Sequence, residues 1–183
     1  MNFSIVLIAK NEQETLPHLF NSLKEFKKRG GECILVDTGS TDNTVKVAQQ
    51  FGCIVKSVGD KFLRTITNAD EINKRFIVRG EKPVLKNGDK LFDFASARNY
   101  AAKMASNDWI FSPDCDEVLT SFNLNEIEKV ISDPNMDRLE YNFIFSHDIY
   151  NNPAIKFMHS KFYRRDKLCW GGIVHETLSP ITK

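Results

Sequence analysis

The sequence predicts an α/β domain, a mostly parallel sheet flanked by helices, with mixed strands toward the C-terminus. Three observations carry this. Residues Phe3 to Ala9 form an apolar run apart from Ser4, as in a strand covered on both faces. Leu16, Leu19, Phe20, Leu23 and Phe26 then recur at the spacing of one helical face, up to the Gly30-Gly31 pair. The alternation repeats: Cys33 to Val36 reads as a second strand, Val45, Ala48 and Phe51 as a helix closed by Gly52, and Cys53 to Val58 as a third strand. Strands and helices that alternate at this length build parallel sheets.

The remaining elements follow in order. Ser40 or Thr41 is placed to cap the second helix. Gly59 to Leu91 interrupts the pattern: it is polar, contains Pro83 and the turn pair Asn87-Gly88, and lacks a period. It is read as an irregular insertion with a short hairpin between Phe76–Val78 and Pro83–Lys86. Helical spacing returns at Ala97, Tyr100, Ala101, Met104 and Ala105, and Trp109 to Ser112 is a short strand running into Pro113-Asp114-Cys115-Asp116-Glu117. Leu124, Ile127, Val130 and Ile131 mark a helix. Leu139–Phe145, Phe157–Tyr163 and Leu168–Val174 read as antiparallel or mixed strands. Residues 1–183 are expected to form a single domain.

Composition excludes several classes. Hydrophobic residues make up 42% and charged residues 27% of the 183, the balance of a globular domain rather than of a disordered, collagen-like or coiled-coil chain. With 25 basic and 24 acidic residues the net charge is +1, so no overall field favours nucleic acid or an anionic membrane. The 14 phenylalanines are expected to fill the core rather than to form a stacking platform. Cys33, Cys53, Cys115 and Cys169 have no metal-ligand spacing; three sit in or beside apolar runs and read as buried thiols, and a chain without a disulfide framework fits a reducing compartment. The first apolar run is too short to span a bilayer and has no basic leader. The expectation is a cytoplasmic protein with no transmembrane segment and no nucleic-acid partner, peripheral membrane association being left open.

Five constellations carry chemistry. Asp114 and Asp116 follow a strand, where two carboxylates can hold a hard divalent cation, Mg²⁺ or Mn²⁺, with diphosphate oxygens and water completing the shell. Alone, the pair fits a solvated acidic turn equally well. Asp37 ends the second strand, where a carboxylate can accept from a base N–H or a ribose hydroxyl, whereas Asp42 reads as a helix-start residue facing the dipole. Ala9-Lys10-Asn11-Glu12 lines the first strand–helix junction, with Asn11 also placed to cap the helix. Arg98, on a helix upstream of Asp114, can bind phosphate or fix an acidic loop. In Trp170-Gly171-Gly172-Ile173-Val174-His175-Glu176, His175 can complete a metal shell and Glu176 can remove a proton from an acceptor hydroxyl.

In this order the motifs resemble the family 2 glycosyltransferases of GT-A fold, a Rossmann-like nucleotide-diphospho-sugar transferase fold. The likeness is greatest to the branch with lipopolysaccharide-core glucosyltransferases and peptide S-glycosyltransferases, and it runs from Phe3 to about Glu176. The resemblance implies transfer of a sugar, a hexose, from a nucleotide-sugar, usually a UDP-sugar, to a glycan, lipid-linked or peptide acceptor, with inversion. It implies that Asp37 contacts the nucleobase, that Ala9, Lys10, Asn11 and Glu12 lie beside the nucleotide, and that Arg98 lies near the ribose or diphosphate. Asp114 and Asp116 become the D-x-D motif, with Asp116 the more direct metal contact. Glu176 is the candidate base and Glu117 the second. Relatives continue past the position of Glu176 into helices that shape the acceptor site, so that part is expected to be minimal or missing after residue 176. Two other functions fit parts of the pattern: a haloacid-dehalogenase-type phosphatase with Asp114 as nucleophile, and a non-catalytic nucleotide-sugar-binding module.

Overall fold

Phe3–Ala9 forms the central strand β1 of a computed structural model that describes residues 1–77, 84–173 and 176–181. Its alternating side chains serve two cores. Phe3, Ile5, Leu7 and Ala9 face one cluster, while Val6 faces the other. The first cluster takes helices α1 (Leu16–Ser22), α2 (Lys24–Lys28), α3 (Thr44–Phe51) and α6 (Leu124–Ile131). The second takes α5 (Phe94–Met104) through Ala97 and Ala101. The predicted first helix is divided at Leu23 (φ −98°, ψ 4°), yet both pieces bury their apolar residues in the same core. Helix α3 ends at Gly52, whose left-handed φ of 85° lets the Gly52 and Cys53 amides close on Gln49 and Ala48. Its N-cap is Asn43 rather than Ser40 or Thr41, which the loop uses otherwise.

Strands β2 (Glu32–Asp37), β3 (Ile54–Ser57) and β6 (Trp109–Phe111) join β1 in parallel. Beyond β6 the sheet turns antiparallel with β8 (Pro153–Arg164) and then β7 (Arg138–His147), giving the order β3-β2-β1-β6-β8-β7. The chain builds outward from β1 first to one side, through β2 and β3, and later to the other, through β6. The β1–β6 boundary is thus the point where strand order reverses. Chains of this topology bind ligands at the strands' carboxyl ends beside that point.

Two expectations are corrected. The stretch from residue 59 to 91 is more regular than its sequence suggests. It holds one turn of 3-10 helix (Gly59–Phe62), strand β4 (Leu63–Thr65), helix α4 (Ala69–Ile77) and strand β5 (Lys90–Phe92) antiparallel to β4. Phe76 and Ile77 end a helix instead of starting a hairpin, and residues 78–83 lie outside the described ones. The phenylalanines also divide. Phe3, Phe26, Phe111, Phe122 and Phe162 pack together between the sheet and its helices, but Phe145 and Phe157 are exposed on the β7–β8 hairpin.

The last predicted strand stops earlier than expected. It forms β9 (Leu168–Gly171), which pairs with a further strand β10 (Thr177–Pro180). The Cys53 thiol meets Cys33 Sγ at 3.1 Å inside the core, and all four cysteines are free. Among the described residues no helix is long and apolar enough to cross a membrane.

Candidate active site

The loops after β1 and β2 are laced together at the carboxyl end of the sheet. Asn11 takes a left-handed backbone, φ 59°, which asparagine tolerates better than most residues. Its amide N–H donates to Ser40 Oγ at 3.0 Å and its side-chain oxygen accepts from the Thr41 N–H at 2.8 Å. The Glu12 N–H donates to Thr44 Oγ1 at 2.6 Å. Asn11 therefore joins two loops instead of capping α1, which begins after Thr15 without a side-chain cap. Asp42 accepts from the Thr44 and Gln13 amides at 2.9 and 3.2 Å, the helix-start role its position suggests. Ala9 is buried at the end of β1 and Lys10 is exposed at the lip. Asp37, buried at the end of β2, accepts from the Ser40 N–H at 2.9 Å. That bond leaves lone pairs for a ligand N–H or hydroxyl.

On the other side of β1 a cluster of charges closes over the end of β6. Arg98 is buried on α5 and each of its three nitrogens is engaged. Nη2 donates to Asp114, Nε donates to Glu176 Oε1 at 2.8 Å, and Nη1 donates to the hydroxyl and carbonyl of Ser112 at 3.1 and 3.3 Å. The guanidinium also lies 5.1 Å from the Trp170 ring, within cation–π range. Lys161, buried on β8, donates to both Asp114 and Glu117. Asp114 thus bridges two cations, and each cation holds a further glutamate.

Local structure sets this geometry. Asp93 caps α5 by accepting from the Ser96 N–H at 2.9 Å, which fixes the turn before Arg98. One residue beyond Arg98, the Asn99 side chain donates to the Trp170 carbonyl at 2.8 Å and accepts from the Trp170 N–H at 2.9 Å. This paired contact holds β9 against the helix, and the chain returning into β10 carries Glu176 to Arg98.

The cluster sorts its carboxylates. Burial disfavours the charge of Asp114, but Arg98 and Lys161 beside it outweigh burial and hold its carboxyl down at about 2. For Glu117 burial prevails over Lys161 and pushes the carboxyl above its usual value. Two adjacent acids are thereby driven apart, an arrangement suited to giving them different tasks. Burial, joined by the charge of Lys161, holds His159 below its ordinary value. Burial and the charges of Glu117 and Asp114 keep the Tyr141 phenol protonated. Its hydroxyl is buried and has no hydrogen-bond partner among the described residues.

Asp116 is exposed beside the cluster. Among the described residues no three His, Cys, Asp or Glu side chains close around a common point. The available donors are the Asp116 carboxylate and whatever lone pairs Arg98 and Lys161 leave on Asp114. Such an all-oxygen set fits a hard divalent cation whose shell ligand phosphate and water complete. His175, expected as a third ligand, lies outside the described residues. Arg98, Asp114, Glu117 and Glu176 are brought together, whereas Lys10 and Asp116 stand in solvent.

Sequence reasoning missed Lys161, Ser112 and Tyr141. The one available signal for Lys161 was a charged residue directly preceding Phe162-Tyr163 in an apolar strand, since lysine is almost never fully buried unless paired.

Known proteins resemble this chain in sequence and in fold. The sequence model for glycosyl transferase family 2 matches residues 4–62, which span β1 through the Asp37 loop to Phe62. A Rickettsia felis protein described as an uncharacterized glycosyltransferase is 30% identical over 135 residues, covering 74% of this chain and 36% of that protein. A 4,4'-diaponeurosporenoate glycosyltransferase of Staphylococcus haemolyticus is 37% identical over 57 residues, covering 31% of this chain and 15% of that protein. The chain thus spans about a third of the length of the first of these relatives. Among solved structures, S. aureus TarS 1-349 in complex with UDP superposes with a TM-score of 0.50 at 18% identity, covering 90% of this chain and 47% of that one. The likeness is one of fold, the GT-A arrangement.

Proposed function

We propose that this chain, whose residues 4–62 match the model for glycosyl transferase family 2, binds a nucleotide-sugar and transfers the sugar to an acceptor. The observation that carries this reading is Asp114, placed at the carboxyl end of β6 and held by Arg98 and Lys161, across β1 from the buried carboxylate of Asp37. Asp37 accepts from the nucleobase or ribose, with Ala9, Lys10, Asn11 and Glu12 lining the same side. The UDP held by TarS, a protein of this fold, supports a uracil base.

Arg98 acts by fixing Asp114 and Glu176, since its nitrogens are engaged by protein. A divalent cation, Mn²⁺ or Mg²⁺, would be held chiefly by Asp116, with Asp114 as the second carboxylate. When bound it offsets the negative charge on the leaving nucleoside diphosphate.

The acceptor hydroxyl gives its proton to a carboxylate and its oxygen attacks the anomeric carbon. The bond from that carbon to the diphosphate oxygen breaks, its electron pair leaving with the diphosphate, and the centre inverts. Glu176, the more exposed of the two candidates, is the base, with Glu117 second. A carboxylate bound at both oxygens by cations, as Asp114 is, makes a poor nucleophile, which weighs against the phosphatase alternative.

The experiment is calorimetry of UDP with and without Mn²⁺, joined to release of UDP from UDP-sugars. Metal-dependent UDP binding that is lost in Asp37→Ala supports the reading. Metal-dependent binding with no transfer or hydrolysis of any donor leaves only a binding module.

A further inference from the structure

The β7–β8 hairpin carries a strip of aromatic side chains that begins inside the charged cluster and runs out of it. Tyr141 and His159 are register partners, as are Phe143 and Phe157. Lys161 lies past the bulge between His159 and Phe162, and its Nζ is 6.0 Å from the Phe143 ring. The rings touch in sequence: Tyr141 to His159 at 6.0 Å, His159 to Phe143 at 5.4 Å, Phe143 to Phe157 at 5.3 Å, and Phe157 to Phe145 at 6.3 Å. Exposure rises along this path. Lys161 is buried, Tyr141, Phe143 and His159 are half-buried, and Phe145 is 67% exposed. Ile155, on the Phe157 face by alternation, continues the apolar surface, which reaches Ile149 and Tyr150 at the tip, 91% and 78% exposed. The tip is a built turn, in which Asp148 accepts from the Tyr150 and Asn152 amides at 2.9 and 2.8 Å. These side chains are therefore held in solvent by hydrogen-bonded backbone.

We propose that this face is the acceptor-binding surface and that its acceptor has an apolar chain. The hydroxyl end lies at the Asp114–Glu117–Glu176 cluster, and the hydrocarbon lies along Phe143, Phe157 and Phe145. The inference rests on the sugar-transfer reading above and adds the class of acceptor. Continuity is its argument, because the strip begins at Phe143, 6.0 Å from the Lys161 Nζ that is held in the charged cluster. An apolar chain fits better than a bare sugar. Sugar hydroxyls need amide or carboxylate partners beside an aromatic platform, and from Phe143 outward this face offers rings and Ile155, with His159 enclosed by three rings. Contiguous apolar surface left open beside a polar site is the mark of an interaction site for a partly apolar ligand.

The test uses the whole chain and titrates it with n-octyl β-glucoside below its micellar concentration, with glucose as the comparison and UDP as the control. The expected result is saturable binding of the octyl glucoside and none of glucose at equal concentrations. Affinity for the glucoside falls at least tenfold in the Phe145→Ser/Phe157→Ser double variant, whose UDP affinity is unchanged. Should that variant fail to fold, Ile155→Ser at a solvent-facing position carries the same comparison. Equal binding of octyl glucoside to wild type and variant overturns the proposal, as does glucose binding as well as the glucoside. It is also overturned if the wild type is a dimer that the double substitution dissociates, since the face is then covered by a second copy. Failure of UDP to bind the wild type counts against the transfer reading instead, and the glucoside comparison still reports on the strip.

Discussion

Lys161 and Asp114 form an ion pair at the carboxyl end of β6, and the same lysine Nζ also donates to Glu117. The lysine and Glu117 are buried, while Asp114 keeps one side open to solvent. Neutralising Asp114 from beneath leaves Asp116 as the exposed carboxylate of the pair.

Replacing Lys161 by Met leaves buried Glu117 without its cation and Asp114 with Arg98 alone. Breaking a buried pair from one side costs about 3–5 kcal/mol. Lys161→Met should therefore lower the urea midpoint strongly, and adding Glu117→Gln should recover part of the loss. A single variant as stable as wild type would mean that the ammonium is solvated and that the pair contributes nothing.

Asp114 sets a pH dependence of known sign. Its folded carboxyl is depressed to about 2 by Arg98 and Lys161, which prevail over burial. An unfolded aspartate titrates near about 3.9. The stability it contributes is thus present above that value and is lost as pH falls toward about 2. Urea unfolding followed between neutral pH and pH 2 should show this loss, and Asp114→Asn should flatten it. An unchanged acid slope in the variant would assign the acid lability to other groups.

Asn99 tests the coupling between α5 and β9. Its side chain pairs with both backbone groups of Trp170. Asn99→Leu should leave UDP affinity within about twofold while lowering turnover at least tenfold, because Glu176 loses its placement rather than the donor site its contacts, and about 1.4 kcal/mol of barrier is tenfold in rate. The same variant should exchange the Trp170 amide faster. Unaltered turnover with a freely exchanging amide would separate Glu176 from the chemistry.

The framework was legible where burial makes sequence periodic. Strands β2 and β6 have apolar runs, Cys33–Val36 and Trp109–Phe111, and Asp37 and Asp114 stand where those patterns break. Long-range pairing was not legible. Lys161 meets Glu117 from 44 residues away, and nothing local marks a lysine as paired rather than solvated. The segment from 59 to 91 hid its elements because three-residue strands and one short helix give too few repeats to set a period. The phenylalanines misled for a related reason. Composition counts Phe145 with Phe3, although one faces water and the other the core.

Asp116 is exposed and forms no part of the core, so Asp116→Ala should change stability by no more than about 0.5 kcal/mol. A nucleotide-sugar site completed by a cation at Asp116 is tested by titrating UDP into wild type and Asp116→Ala, each with and without Mn²⁺. Mn²⁺ should strengthen UDP binding to the wild type at least tenfold and leave the folded variant unaffected. Equal strengthening in both proteins would contradict it.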